Sequence, residues 1–152
     1  MPWNGTELRV ISLEYAANNA PRVISEETLT GDTETAISQP EFSPDGRYLA
    51  YISDATGWHQ LYLYDLETHE HQEITSGDIE HGIPQWVQGN HTYGWTGDGA
   101  AIYYIRHDKG FYSVWTYDVD NQVSIRLHAL DDYTFFDRVA VSIKDEKLAF
   151  IA

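Results

Sequence analysis

His69-Glu70-His71 is the place in this chain where metal-binding side chains crowd most closely. Imidazoles at i and i+2 share one side of an extended strand, and the Glu67 carboxylate is nearby. Histidine nitrogens with a carboxylate at that spacing suit zinc or manganese. The same residues also read as a polar loop between outer strands, facing water, so His69 and His71 stay candidates and no metal is assigned. His59, His81, His91, His107 and His128 have no common spacing and would form a site only if the fold gathered them. Asp131-Asp132-Tyr133 and the run from Glu73 to Glu80 lack the alternating oxygen ligands and turn glycine of a calcium loop. No serine stands in a Gly-x-Ser-x-Gly elbow: Ser76 precedes Gly77 but follows Thr75. The chain has no cysteine, which removes a thiolate nucleophile, thiolate metal sites and disulfides. No catalytic residue and no cofactor are assigned.

Charge narrows the partners. Acidic side chains outnumber Lys and Arg by 24 to 9, giving a net charge of −15. Such a surface repels phosphate backbones and anionic head groups, which argues against nucleic acid and membrane partners. Hydrophobic residues make up 42% of the 152, enough to bury a core. No apolar run approaches the roughly 20 residues of a membrane span. Met1-Pro2-Trp3-Asn4-Gly5 shows neither the basic start nor the apolar stretch of a secretory signal. With the missing cysteines, this sets a cytoplasmic location as the expectation.

The elements that position these residues are strands. Phe42-Ser43-Pro44-Asp45-Gly46-Arg47-Tyr48-Leu49-Ala50-Tyr51-Ile52 returns without a gap as Trp95-Thr96-Gly97-Asp98-Gly99-Ala100-Ala101-Ile102-Tyr103-Tyr104-Ile105. A third copy runs from Val141 to Ile151. Repeats of this kind, built of short strands and turns, mark a propeller or related array. Leu8–Leu13, Arg47–Ser53, Gln60–Asp65, Ala101–Arg106, Ser113–Val119 and Lys147–Ile151 are β-branched or aromatic and bounded by turn residues, as strands are. Ser43-Pro44-Asp45-Gly46 predicts a type I turn closed by a left-handed glycine, and Thr96-Gly97-Asp98-Gly99 repeats it. Asp65 and Asp118, at equivalent strand ends, are expected to accept backbone N–H bonds from the following turn. Tyr48, Ala50 and Ile52 point one way and Leu49, Tyr51 and Ser53 the other; both sets are largely apolar, as in blades stacked face to face.

The fold class is therefore all-β: a partial β-propeller of four-stranded antiparallel blades, two complete and one partial at each end. Residues 1–38 read as the end of a preceding blade with a linker, 39–80 and 81–130 as full blades, and 131–152 as the start of a truncated one. The expected picture is an arc of a larger ring. Gln85–Val87 and Thr92–Trp95 both remain open as the first strand of the second full blade. Trp58 with Phe111, and Tyr62 with Trp115, are repeat-equivalent pairs, which favours blade packing over a ligand groove.

The segment Ser43 to Asp54 resembles the SPDG propeller repeat, related to WD40 blades, of the TolB family and of prolyl oligopeptidase-type enzymes. Gly57-Trp58-His59-Gln60-Leu61-Tyr62-Leu63-Tyr64-Asp65, then Gly82-Ile83-Pro84-Gln85-Trp86-Val87, is similar to the propeller of the acylaminoacyl-peptidase-like branch of that serine peptidase family. The likeness is good from Pro40 to Trp95 and looser beyond. It implies a non-catalytic propeller piece that gates small peptides toward a hydrolase domain, with the triad on that other domain. It also implies a place to look for a substrate-amine anchor, because dipeptidyl peptidases of the family use a propeller Glu pair. Glu26-Glu27 is the only adjacent pair here, in a linker-like segment outside the matching stretch. Two other functions stay open: a TolB-like protein-interaction propeller, and a metal-dependent lyase with its site on the propeller. Uncovered blade faces lead to one more expectation, self-association of the chain.

Overall fold

A computed structural model describes residues 4–86 and 89–152. Among these residues twelve strands form four antiparallel sheets: β1 (Glu7–Tyr15) with β2 (Pro21–Gly31); β3 (Ile37–Phe42), β4 (Tyr48–Ser53), β5 (Gln60–Asp65) and β6 (His71–Glu73); β7 (Tyr93–Trp95), β8 (Ala101–Asp108), β9 (Phe111–Asp118) and β10 (Val123–Arg126); and β11 (Val139–Val141) with β12 (Leu148–Phe150). Within each four-stranded sheet the spatial order is the sequence order, a meander. The chain is an all-β partial propeller.

The repeat holds its register through the first hairpin. Phe42 pairs with Leu49, Trp95 with Ile102 and Val141 with Leu148. Local chemistry makes these turns. Gly46 N–H donates to Ser43 O at 2.9 Å with φ at +74°, and Gly99 N–H donates to Thr96 O at 3.0 Å with φ at +73°. A side chain in that left-handed region is strained, so glycine closes the type I turn into the bulge. Asp65 Oδ1 caps the next turn by accepting from Glu67 and Thr68 N–H, and Asp118 Oδ1 accepts from Asn121 N–H.

Stacking then hides both faces of each sheet. Ala50 and Ile52 join Leu61, Leu63, Tyr93, Trp95, Ile102 and Tyr104 in a core between the two four-stranded sheets. Leu49 and Tyr51, on the opposite face, pack with Leu8, Ile37 and Tyr64 against the β1–β2 sheet. A third core, around Ile105, Val114, Phe136 and Val139, joins β8–β9 to β11–β12. Each fully buried Ile or Leu contributes about 1.5–3 kcal/mol, so the stack is held by apolar burial between neighbours.

One open choice is decided and three expectations change. The first strand of the second complete sheet is β7; Gln85 and Trp86 lie in a turn, and Val87, part of the rival candidate, falls outside the described residues. β2 runs unbroken from Pro21 to Gly31, so Glu26 and Glu27 lie inside a strand rather than in a linker. His69 lies in a turn at φ +60°, not on the strand that His71 opens. Trp58, Trp86 and Phe111 are exposed rather than packed between blades, whereas Trp95 is buried and Trp115 packs against the central core.

Candidate functional site

Antiparallel order gives the arc two different ends. Strands β3, β7 and β11 run into the Ser43, Thr96 and Ser142 turns, and β5 and β9 run into the Asp65 and Asp118 turns. That turn end carries Asp45, Asp65, Glu67, Glu70, Asp98, Asp118 and Asp120. The opposite, loop end collects the β4–β5 and β8–β9 connections and the long segments before β7 and β11. Trp58, Trp86, Phe111, Tyr133 and Phe135 are all exposed there. Five large aromatics exposed at one end of the arc form a surface suited to being covered.

Loop positions are fixed by polar contacts to both complete sheets. The Glu80 carboxylate accepts from His59 N–H at 2.9 Å and bonds His59 Nδ1 at 2.8 Å. Glu80 also forms a two-way backbone bridge with His107. His81 N–H donates to His59 O at 2.9 Å, and its ring packs edge-on against Tyr104. The His81 ring is buried and its Nδ1 has no partner among the described residues. Burial, reinforced by the Arg106 charge, lowers its pKa to about 4, so it is neutral at pH 7. Residues 79–82 thus act as a peg between two blades. The fold does gather His59, His81 and His107 here, which sequence spacing did not show. They stack and bridge instead of converging: His107 lies flat on Tyr112 with centroids 4.3 Å apart.

His69 and His71 are separated by their roles. His69 Nδ1 shares a hydrogen bond with Tyr64 Oη at 2.8 Å, and His71 Nδ1 shares one with Tyr51 Oη at 2.8 Å. Among the described residues no three His, Asp or Glu side chains are grouped to hold a metal ion. Glu26 ion-pairs with Arg9 at 2.6 Å on an exposed face. Glu26 and Glu27 are neighbours within β2, so their side chains leave on opposite faces and do not converge on one amine.

The inner strands carry a polar rung that sequence reasoning missed. Gln39, at φ +52° in a β3 irregularity, turns its Oε1 to accept Thr92 N–H at 2.8 Å. Buried Tyr93 Oη donates to Gln39 O, and Trp95 Nε1 donates to Glu41 O at 3.4 Å. One blade's inner strand is thereby bound to the next by side chains. Glu41 lies half-buried on this rung, and burial raises its carboxyl pKa despite nearby His91.

Residues 9–151 match the family described as "Prolyl oligopeptidase, N-terminal beta-propeller domain". The chain belongs to that family. A puromycin-hydrolysing peptidase of Mycobacterium tuberculosis superposes with a TM-score of 0.75 over 99% of this chain and 25% of its own, at 22% identity. A puromycin hydrolase structure gives 0.73 over 93% of this chain and 20% of its own, at 26% identity. The Tol-Pal system protein TolB of Alcanivorax borkumensis is 35% identical over 75 residues, 49% of this chain and 16% of that protein. This chain of the prolyl oligopeptidase propeller family therefore spans a quarter or less of each of these relatives.

Proposed function

We propose that this chain is part of the propeller of a serine peptidase, where it restricts which peptides reach a hydrolase domain. The observation that carries the reading is the family match across residues 9–151. The 26% identity to a puromycin hydrolase over 93% of the chain supports it. In this reading the hydrolase domain covers the loop end, shielding Trp58, Trp86 and Phe111, and supplies the nucleophile that this sequence lacks. Peptides meet the arc at that end. A cytoplasmic location belongs to the same proposal.

The TolB similarity supports a second reading, a propeller that binds a protein partner without hydrolysing it. One experiment separates them. The native polypeptide containing this segment is isolated with an antibody against the 152-residue chain and treated with a fluorophosphonate probe, which labels active serine hydrolases. A labelled polypeptide that cleaves aminoacyl anilides supports the peptidase reading. An unlabelled one that co-purifies with a stoichiometric protein partner refutes it and supports the second. Fractionating the cells with the same antibody checks the location.

A further inference from the structure

The two partial sheets lack opposite halves of a blade. β11 pairs with β12 as β3 does with β4 and β7 with β8, so these are inner strands. β1 and β2 precede β3 as β5 and β6 precede β7, so they are outer strands. Among the described residues neither β12 nor β1 has a second neighbour. Ser142 N–H donates to Lys147 O and Ile151 N–H to Arg138 O, so Lys147 and Ile151 face β11. Alternation then turns the N–H and C=O of Leu148 and Phe150 to the free edge. Their repeat equivalents, Leu49 and Tyr51, pair with Tyr64 and Tyr62 of β5. Beside that edge lies a groove of about 590 Å³ lined by Ala101 and Tyr103 of β8 and by Val141, Lys144 and Leu148. Between the two complete blades the corresponding space, beside Tyr48 and Ala50, is filled by Tyr117 and Val119.

β1 carries side chains for this groove. It opens at Glu7 as β5 opens at Gln60, and Leu8 and Leu61 are both buried toward the following blade. Counting on from there, Ile11 and Leu13 match Tyr64 and Leu66, and hence Tyr117 and Val119. Both are about half exposed, and Tyr15, Val23 and Ile24 of the same sheet are more so. A two-stranded sheet with that much exposed apolar surface is marginal alone. Charge agrees: residues 138–151 carry three cations against two acids, whereas β1–β2 carries four glutamates against two arginines. We propose that β1–β2 of a second copy adds to the free edge of β12, with Ile11 and Leu13 seated in the groove, to complete a four-stranded composite blade. The contact is head-to-tail, so it must close on itself or grow into a filament. Two copies, each with two complete blades and halves of two shared ones, close a ring of six; three would need nine, outside the usual range of about four to eight. The pairing rests on the sheet edges of this chain and not on the peptidase reading.

The test uses the 152-residue chain. Light scattering at rising concentration should reach twice the chain mass and stop there. The chain has no cysteine, so introduced thiols report the register directly. Ile11→Cys with Leu148→Cys, the pair expected from Leu49 with Tyr64 and Ile102 with Tyr117, should lock as a covalent dimer on mild oxidation. Ile11→Cys with Ala149→Cys, whose side chains leave on opposite faces, should not. Ile11→Glu with Leu13→Glu should weaken dimerisation about a hundredfold or more, as loss of two buried aliphatic side chains does. The exposed control Ala55→Glu should leave it unchanged. Slow hydrogen exchange at Ile52 and Leu61 checks that the glutamate variant still folds, and if it does not, the cysteine pairs alone decide. A monomer at every concentration, growth beyond two copies, equal locking of both cysteine pairs, or a folded glutamate variant that still dimerises overturns the proposal. If the native polypeptide proves not to be a hydrolase, the peptidase reading fails while this pairing stands.

Discussion

Replacing Gln60 with leucine should unfasten the loop that carries Glu80 and His81. Gln60 is fully buried at the start of β5. Its Oε1 accepts from Thr75 Oγ1 at 2.9 Å, and its Nε2 donates to Gly77 O at 2.8 Å and Ile79 O at 3.1 Å. Thr75 Oγ1 in turn accepts Leu61 N–H at 2.8 Å. Gln60→Leu keeps the volume roughly constant and removes three bonds at once. The buried Thr75 hydroxyl is stranded at about 1–3 kcal/mol, while the Gly77 and Ile79 carbonyls, nearer to solvent, lose about 0.5–1.5 kcal/mol each. The sum is about 2–6 kcal/mol, or about 4–24 °C in Tm for a chain of this length. Urea and thermal melts at one fixed protein concentration measure it. A double-mutant cycle with Thr75→Val sharpens the test, since the two share a bond and the double variant should lose less than the sum of the singles. A Gln60→Leu loss under about 1 kcal/mol, or strict additivity in the cycle, would refute the polar peg as the element that holds this loop.

Burial of His81 ties stability to pH. Its pKa is lowered to about 4 from an ordinary 6.5, so the unfolded chain takes up a proton that the folded chain refuses. The neutral ring's contribution is complete above pH 6.5 and is lost as pH falls from 6.5 to about 4; His81→Phe should flatten urea-midpoint curves in that window. Gly97→Ala would drive a Cβ into Ile143 O where the two neighbouring turns touch. Hydrogen exchange should then quicken across residues 139–151 while Ile52 and Leu61 stay protected. The 152-residue chain by itself should self-associate through its exposed apolar positions, among them Ile11, Leu13 and Ile143. Light scattering at rising concentration checks this, and a constant monomer mass would defeat it.

Much of the fold was legible because its signals are local. The Ser43 and Thr96 turns close within a few residues, on a glycine that tolerates positive φ and a hydroxyl or carboxylate that bonds its own turn. Alternation along Tyr48–Ser53 assigned each side chain to a face, and the two cores agree with that assignment. Less of the site was legible. Trp58 and Phe111 are equivalent by repeat, and the inference of shared packing failed because both sit at the loop end, beyond the stacked faces. His69 and His71 looked like partners on one strand until the left-handed turn at His69 separated them and two tyrosines engaged them. Their geometry depends on β4 and β5, which no spacing within the triplet records.

The sequence by itself determined the repeat, the strands, the turns and the absence of a serine nucleophile motif, since each depends on residues within one hairpin. Tertiary structure alone decided that Tyr93–Trp95 opens its sheet, that Glu26 and Glu27 diverge on an outer strand, and that Glu80 bridges His59 and His107. It alone placed Glu41 half-buried, with its carboxyl pKa raised by burial. Those outcomes depend on contacts between strands far apart in the chain, whose bonds and burial exist only once neighbouring blades have stacked.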